Sequence, residues 1–178
     1  GGGTVLHNRE ITYSFSVPVI KRIVPESVED SFKCIISPII NSIRALSIDA
    51  EFRPVNDIVI NNKKISGSAQ IRRKGILQQH GTLIIDMERE TFCNALKIDI
   101  EKIKSRGFMD PLEAITSISN EMGVKADDEI ADDIISRIVT NFSKMLHIDF
   151  SLSGLTENEN AVMESYIEKF TSDDWNCM

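Results

Sequence analysis

The spacing of apolar and polar residues changes period along the chain, and each change marks an expected element. Ile11 to Pro18 alternates with a period of two, which places Thr12, Ser14 and Ser16 on one face and reads as a strand. Thr4 to His7 precedes it, with Asn8-Arg9-Glu10 as a turn, so the two runs predict a hairpin. From Pro25 to Leu46 the period lengthens. Val28, Phe32, Ile35, Ile36, Ile39, Ile43 and Leu46 share one helical face, with Glu26, Glu29 and Asp30 at the end where carboxylates suit the dipole. Pro38 inside this run removes one backbone donor and predicts a kink or break near Ser37. Ile48 to Phe52 reads as a short strand closed by Arg53-Pro54.

The stretch from Asn56 to Asp86 returns to strand character. Asn61-Asn62 separates Ile58–Ile60 from the run beginning at Ile65, and asparagine tolerates the positive φ of a tight hairpin turn. Lys64 therefore lies just past a turn. Ser66, Gly67, Ser68 and Ala69 carry little side-chain bulk, so a ligand can approach that backbone closely. Ile76 to Asp86 returns beside them after a second turn at Lys74-Gly75, bringing His80-Gly81 onto the neighbouring strand.

Helical spacing dominates the remainder. Glu88 to Lys97 and Ile98 to Lys104 predict two short helices, followed by a loop at Ser105-Arg106-Gly107. Asp110-Pro111 opens a helix expected to run to about Met122, with Gly123 ending it. Ala126 to Leu146 predicts the longest helix, with Ile130, Ile134, Ile138, Phe142 and Met145 as its stripe; its acidic start suits the dipole. His147 to Leu152 alternates and predicts an edge strand. Thr156 to Glu159 has capping-box spacing and opens a last helix, with Ala161, Val162, Ser165, Tyr166 and Phe170 placed to pack. Hairpins mixed with helices predict an α+β fold, a mixed and largely antiparallel sheet with packed helices, in a single domain over 1–178.

Composition narrows the class. With 178 residues and 42% hydrophobic content the chain can bury one real core. A net charge of -7 argues against general nucleic-acid binding. Cys34, Cys93 and Cys177 are odd in number and widely spaced, which indicates neither a disulfide framework nor a zinc site and fits a cytoplasmic setting. No run approaches the ~20 apolar residues of a membrane span.

The candidate chemistry centres on Lys64, which from spacing alone is either a site cation or a solvated residue after a turn. Gly1-Gly2-Gly3 can present backbone N–H groups to an anion, or be a flexible terminus; a strand follows, so it is neither a Walker A loop nor a dinucleotide fingerprint. Arg72, Arg73 and Lys74 form the densest basic cluster, either facing an anionic partner or solvated at a hairpin tip.

Four blocks carry a resemblance: GGGTVLHNREITYSF at Gly1 to Phe15, NDIVINNKKISGSAQ at Asn56 to Gln70, QHGTLIID at Gln79 to Asp86, and DDWN at Asp173 to Asn176. In this order they resemble the catalytic domain of lipoate-protein ligase A, most nearly its archaeal form, within the group that includes octanoyl transferases and biotin-protein ligases. The resemblance implies the catalytic fold shared by biotin ligases and class II aminoacyl-tRNA synthetases. It implies ATP-dependent conversion of lipoate to lipoyl-AMP and transfer to a lysine of a lipoyl domain or a glycine-cleavage H protein. It also implies Lys64 as the catalytic cation. Gly1, Gly2, Gly3, Thr4, Val5, Leu6, His7, Ser68, Ala69, His80 and Gly81 would bind ATP or lipoate. Asn56 and Asp57 would hold Mg2+, although from the residues alone they also read as a turn pair. Relative to the family the chain starts inside an interior motif, so an N-terminal segment or a separate accessory domain is an expected partner. Two other readings stay open: a cysteine-dependent octanoyl or lipoyl transferase, and an inactive remnant or binding module.

Overall fold

The computed structural model describes residues 6–95, 101, 104–105 and 107–177, the side chains of residues 89 and 93 excepted. Gly1 to Val5 and most of the expected helix at 98–104 lie outside the described residues. Contacts group the chain into two compact units, Gly1–Ile148 and Asp149–Met178.

In the first unit, β1 (Glu10–Pro18), β2 (Ala50–Arg53), β3 (Asp57–Ile60), β4 (Lys63–Arg73) and β5 (Ile76–Ile84) form one sheet in the order β1-β5-β4-β3-β2, every pair antiparallel. The turns form where the residue types demand. Asn61 and Asn62 have φ of 49° and 65°, and Lys74 and Gly75 of 50° and 76°, so two positive dihedrals close each hairpin in the sense that matches strand twist. The helices are α1 (Val28–Arg44), α2 (Arg89–Ala95), α3 (Ile118–Met122) and α4 (Asp128–Leu146). Ile35, Ile36, Ile39 and Ile43 of α1 and Ile134, Ile138 and Phe142 of α4 share one core with Ile58, Ile60, Ile65, Leu77 and Leu83 of the sheet. Phe15 stacks on Phe142 at 5.3 Å. This is the α+β architecture read from the sequence. Among the described residues no helix is long and apolar enough to cross a membrane.

Four elements depart from the sequence reading. Pro38 does not break α1, which runs unbroken from Val28 to Arg44. Pro38 leaves the Cys34 carbonyl without its usual N–H partner, and the Ser37 hydroxyl donates to that carbonyl at 2.9 Å instead. The expected single helix from 110 to 122 is a 3-10 turn at Pro111–Glu113 and then α3, capped by Ser117. Between them Ile115 makes a parallel bridge with Lys64. At the N-terminus, residues 6–9 form no strand; the Arg9 carbonyl instead accepts from the Ile85 and Asp86 N–H groups, at 3.0 and 3.1 Å. Residues 148–152 likewise form no strand, and His147, at φ 54°, caps α4.

The second unit contains α5 (Glu157–Thr171) and α6 (Asp173–Asn176). Thr156 and Glu159 form the expected capping box. Val162, Tyr166 and Phe170 of α5 are about half exposed, and the rings of Tyr166 and Phe170 lie 5.8 Å apart. Phe170 meets Trp175 edge-on at 4.9 Å.

Candidate active site

A β-bulge sets the site. Ser66 pairs with Ile58, but Lys64 pairs with Val59, so Ile65 is an extra residue in β4. In a regular strand Lys64 and Gly67, three apart, would point to opposite faces; the extra residue returns Lys64 to the face of Gly67. The absence of a side chain at Gly67 then lets the lysine lie across the strand. A Cβ at Gly67 would fall 2.7 Å from Lys64 Nζ and 2.9 Å from its Cε. The Lys64 backbone is held as well: its N–H donates to the Ala114 carbonyl at 2.8 Å, and its carbonyl accepts from Thr116 N–H at 2.9 Å.

The ammonium is anchored from β3. Lys64 Nζ lies 2.6 Å from Asp57 Oδ1, and Arg53 Nη2 donates to Asp57 Oδ2 at 2.9 Å. Asp57 is almost fully buried while Lys64 remains 36% exposed, so the carboxylate is fixed and the cation reaches open space. Burial alone would raise the Asp57 carboxyl, but the hydrogen bonds and charges of Lys64 and Arg53 outweigh it and hold it below the usual carboxylate range. Arg53 also donates to the Asn62 carbonyl at 3.1 Å, tying the clamp to the hairpin turn.

These groups open on a cavity of about 480 Å3, within the size range of small-ligand sites. Its floor is the small-residue backbone. A Cβ at Gly81 would come within 2.8 Å of the Gly67 carbonyl oxygen, Ser68 Oγ and Tyr13 Cε1, so β4 and β5 approach here as only glycine permits. Beneath the floor Ser68 Oγ shares a 2.7 Å hydrogen bond with Tyr13 Oη. Gln79 donates to Tyr13 Oη, Gln70 donates to Gln79, and the Ser31 hydroxyl of α1 donates to Gln70, each at 3.0 Å. Burial keeps the Tyr13 phenol above its usual range despite the bonds from Ser68 and Gln79.

Leu6, His7, Asn56, Asp57, Lys64, Ser68, Ala69, His80 and Gly81, nine residues singled out from the sequence, line this one cavity. Asn56 and Asp57 do not fit the magnesium role as they stand. Asp57 gives both oxygens to cations, Asn56 turns its amide nitrogen to the Ser68 carbonyl, and no cluster of three or more His, Cys, Asp or Glu among the described residues could hold a metal. Three participants escaped the sequence reading. Arg53 looked like a strand end, Ile115 like helix, and Tyr13 was not singled out within its strand; no signal in the spacing marked them.

A model of the lipoyl protein ligase A/B catalytic domain matches residues 1–143. The chain belongs to that family. Among curated relatives of this ligase-family domain, octanoyltransferase LipM of Clostridioides difficile is 26% identical over 195 residues, covering 99% of this chain and 71% of that protein. Among solved structures, the bipartite lipoate protein ligase of Thermoplasma acidophilum superposes with a TM-score of 0.71 at 24% identity, over 94% of this chain and 62% of that one. A lipoate-protein ligase A bound with ATP also gives 0.71, at 22% identity over 94% and 64%. The domain thus has the lipoate ligase fold and spans less than two thirds of the length of those ligases.

Proposed function

We propose that this domain activates lipoate with ATP to lipoyl-AMP and transfers the lipoyl group to a lysine of a lipoyl domain or a glycine-cleavage H protein, in a cytoplasmic setting. The observation that carries this reading is the Lys64 ammonium, held by Asp57 over the bare backbone of Gly67 at the cavity. Attack of the acyl carboxylate on the α-phosphate and attack of the acceptor amine on the acyl carbonyl both build negative charge on oxygen. A cation ~4 Å from that oxygen in a partly screened site is worth about 4 kcal/mol, roughly a thousandfold in rate. Asp57 holds the ammonium in place beforehand, so little reorganisation is needed as charge develops. The ATP bound in the solved relative supports a nucleotide at this fold's site. No step is assigned to a metal ion on Asn56 or Asp57.

A thioester route needs a thiolate at the cavity. The described lining holds no cysteine. Cys34 Sγ lies 3.9 Å from Met145 Sδ, its thiol pushed up by burial, and Cys177 belongs to the second unit. The octanoyltransferase relatives nevertheless favour a second reading, acyl transfer without ATP; if it runs through a cysteine, Cys93, next to Phe92 in the sequence, is the candidate. Incubation with lipoate, ATP and Mg2+ is expected to release pyrophosphate. An acyl-enzyme that forms without ATP, detected by intact mass and lost on alkylation, would replace this reading with the second.

A further inference from the structure

Residues 11–25 and 58–85 contain none of the chain's 27 aspartates and glutamates, yet hold seven of its 20 lysines and arginines. Both stretches build β1, β4, β5 and their turns, so segregation in the sequence becomes segregation on the sheet. Lys64 is paired with Asp57, and Arg72 donates to the Pro25 and Glu26 carbonyls. Lys21, Arg22, Arg73 and Lys74 are exposed and enter no ion pair among the described residues. The Val19 N–H donates to the Gly75 carbonyl at 2.8 Å, which ties the turn carrying Lys21 and Arg22 to the tip carrying Arg73 and Lys74. Four unpaired cations therefore gather at one end of the sheet of a chain whose net charge is -7.

This end is continuous with the cavity. Ala69 and His80 line the cavity and face each other across β4 and β5; the next pairs on the same face are Ile71 with Gln78 and Arg73 with Ile76. From His80 to Ile76 the strip runs about 13 Å at the usual strand rise. It is open: Ile71 is 53% exposed, Ile76 41%, and Ile20 in the adjoining turn 87%. The cations lie too far along the strands to serve a small molecule held at Lys64. Isoleucines set among them match a folded protein surface better than a phosphate backbone, as does the acidic whole chain.

We propose that this strip docks an acidic face of the acceptor protein whose lysine enters the cavity. The inference rests on the acyl-transfer reading above. Opposite charge on the two surfaces would act mainly on the encounter rate, with the isoleucines supplying short-range contact. The test uses an apo lipoyl domain of net negative charge, the same domain with its acidic face neutralised to Asn and Gln, and a single-stranded RNA oligomer of matched charge. Affinities are measured for the full chain and for the pair Arg73→Glu with Lys74→Glu, with Lys21→Glu as a second exposed variant and thermal melting as the folding control. At low salt the charge-reversed pair is expected to weaken acceptor binding by about tenfold or more. Lys21→Glu should do so less, added salt or a neutralised acceptor should remove the difference, and acyl activation without acceptor should keep its wild-type rate. Unchanged acceptor affinity in both folded variants, or tighter binding of the RNA, would overturn the proposal. Loss of all acyl chemistry in the wild-type chain would instead count against the acyl-transfer reading, since the affinity measurement does not depend on turnover.

Discussion

The two ends of the β4–β5 hairpin treat positive charge in opposite ways. At the Lys64 end a bulge, a glycine, a buried carboxylate and a bridging segment at Ile115 together remove the freedom of one ammonium. At the tip, Arg73 and Lys74 lie in a regular hairpin, exposed and outside any ion pair among the described residues. The same residue class thus serves chemistry where its position is over-determined and long-range attraction where it is left solvated, because stabilising a developing charge demands placement whereas steering demands only net field.

Substitutions act most strongly at the anchored end. Lys64→Ala is expected to lower the acyl-activation rate by about a thousandfold, measured by pyrophosphate release. An unchanged rate would leave the clamp without a catalytic purpose. Next in size, Asp57→Asn leaves two cations facing a neutral amide and should cost about 3 kcal/mol at neutral pH, the low end for a broken buried pair because Lys64 is partly solvated. The sign with pH follows from the depressed carboxyl. The ion pair contributes its full stability above the usual Asp value of 3.8 and loses it as pH falls through the lower value of the folded protein, so the gap between wild type and Asp57→Asn in denaturant melts should narrow only below that range.

The two glycines of the floor sharpen the contrast further. Gly81→Ala would press a methyl group into the backbone carbonyl of Gly67, and about 2 kcal/mol of stability is expected to go, read in the same melts. At Gly67 the obstructing atoms are the far end of the Lys64 side chain, which can move. Gly67→Ala should therefore keep stability within about 1 kcal/mol of wild type and lose about tenfold in rate through a displaced cation.

Much of this arrangement was legible in the residues because local chemistry set it. The Asn61-Asn62 and Lys74-Gly75 turns, the stripes of α1 and α4, and the small-residue run at 66–69 each depend on neighbours in sequence. What stayed hidden depends on partners far along the chain. The helical spacing from 110 to 122 lost to two hydrogen bonds with the Lys64 backbone, and Arg53 acquired its role only when Asp57 folded across from it. The Ser31–Gln70–Gln79–Tyr13–Ser68 chain was unreadable for the same reason, since nothing local to Gln79 announces a side chain with no solvent exposure at all.

The extra residue at Ile65 makes the lysine's address a matter of counting. Removing one residue between Lys64 and Gly67 would erase the bulge and leave the two positions two apart, still on one face, whereas adding one beside the retained bulge would turn the ammonium toward the opposite face and off its carboxylate. Side chains in this short span can be exchanged for others of similar size, but it cannot grow by a single residue, and single-residue insertions during divergence must fall outside it.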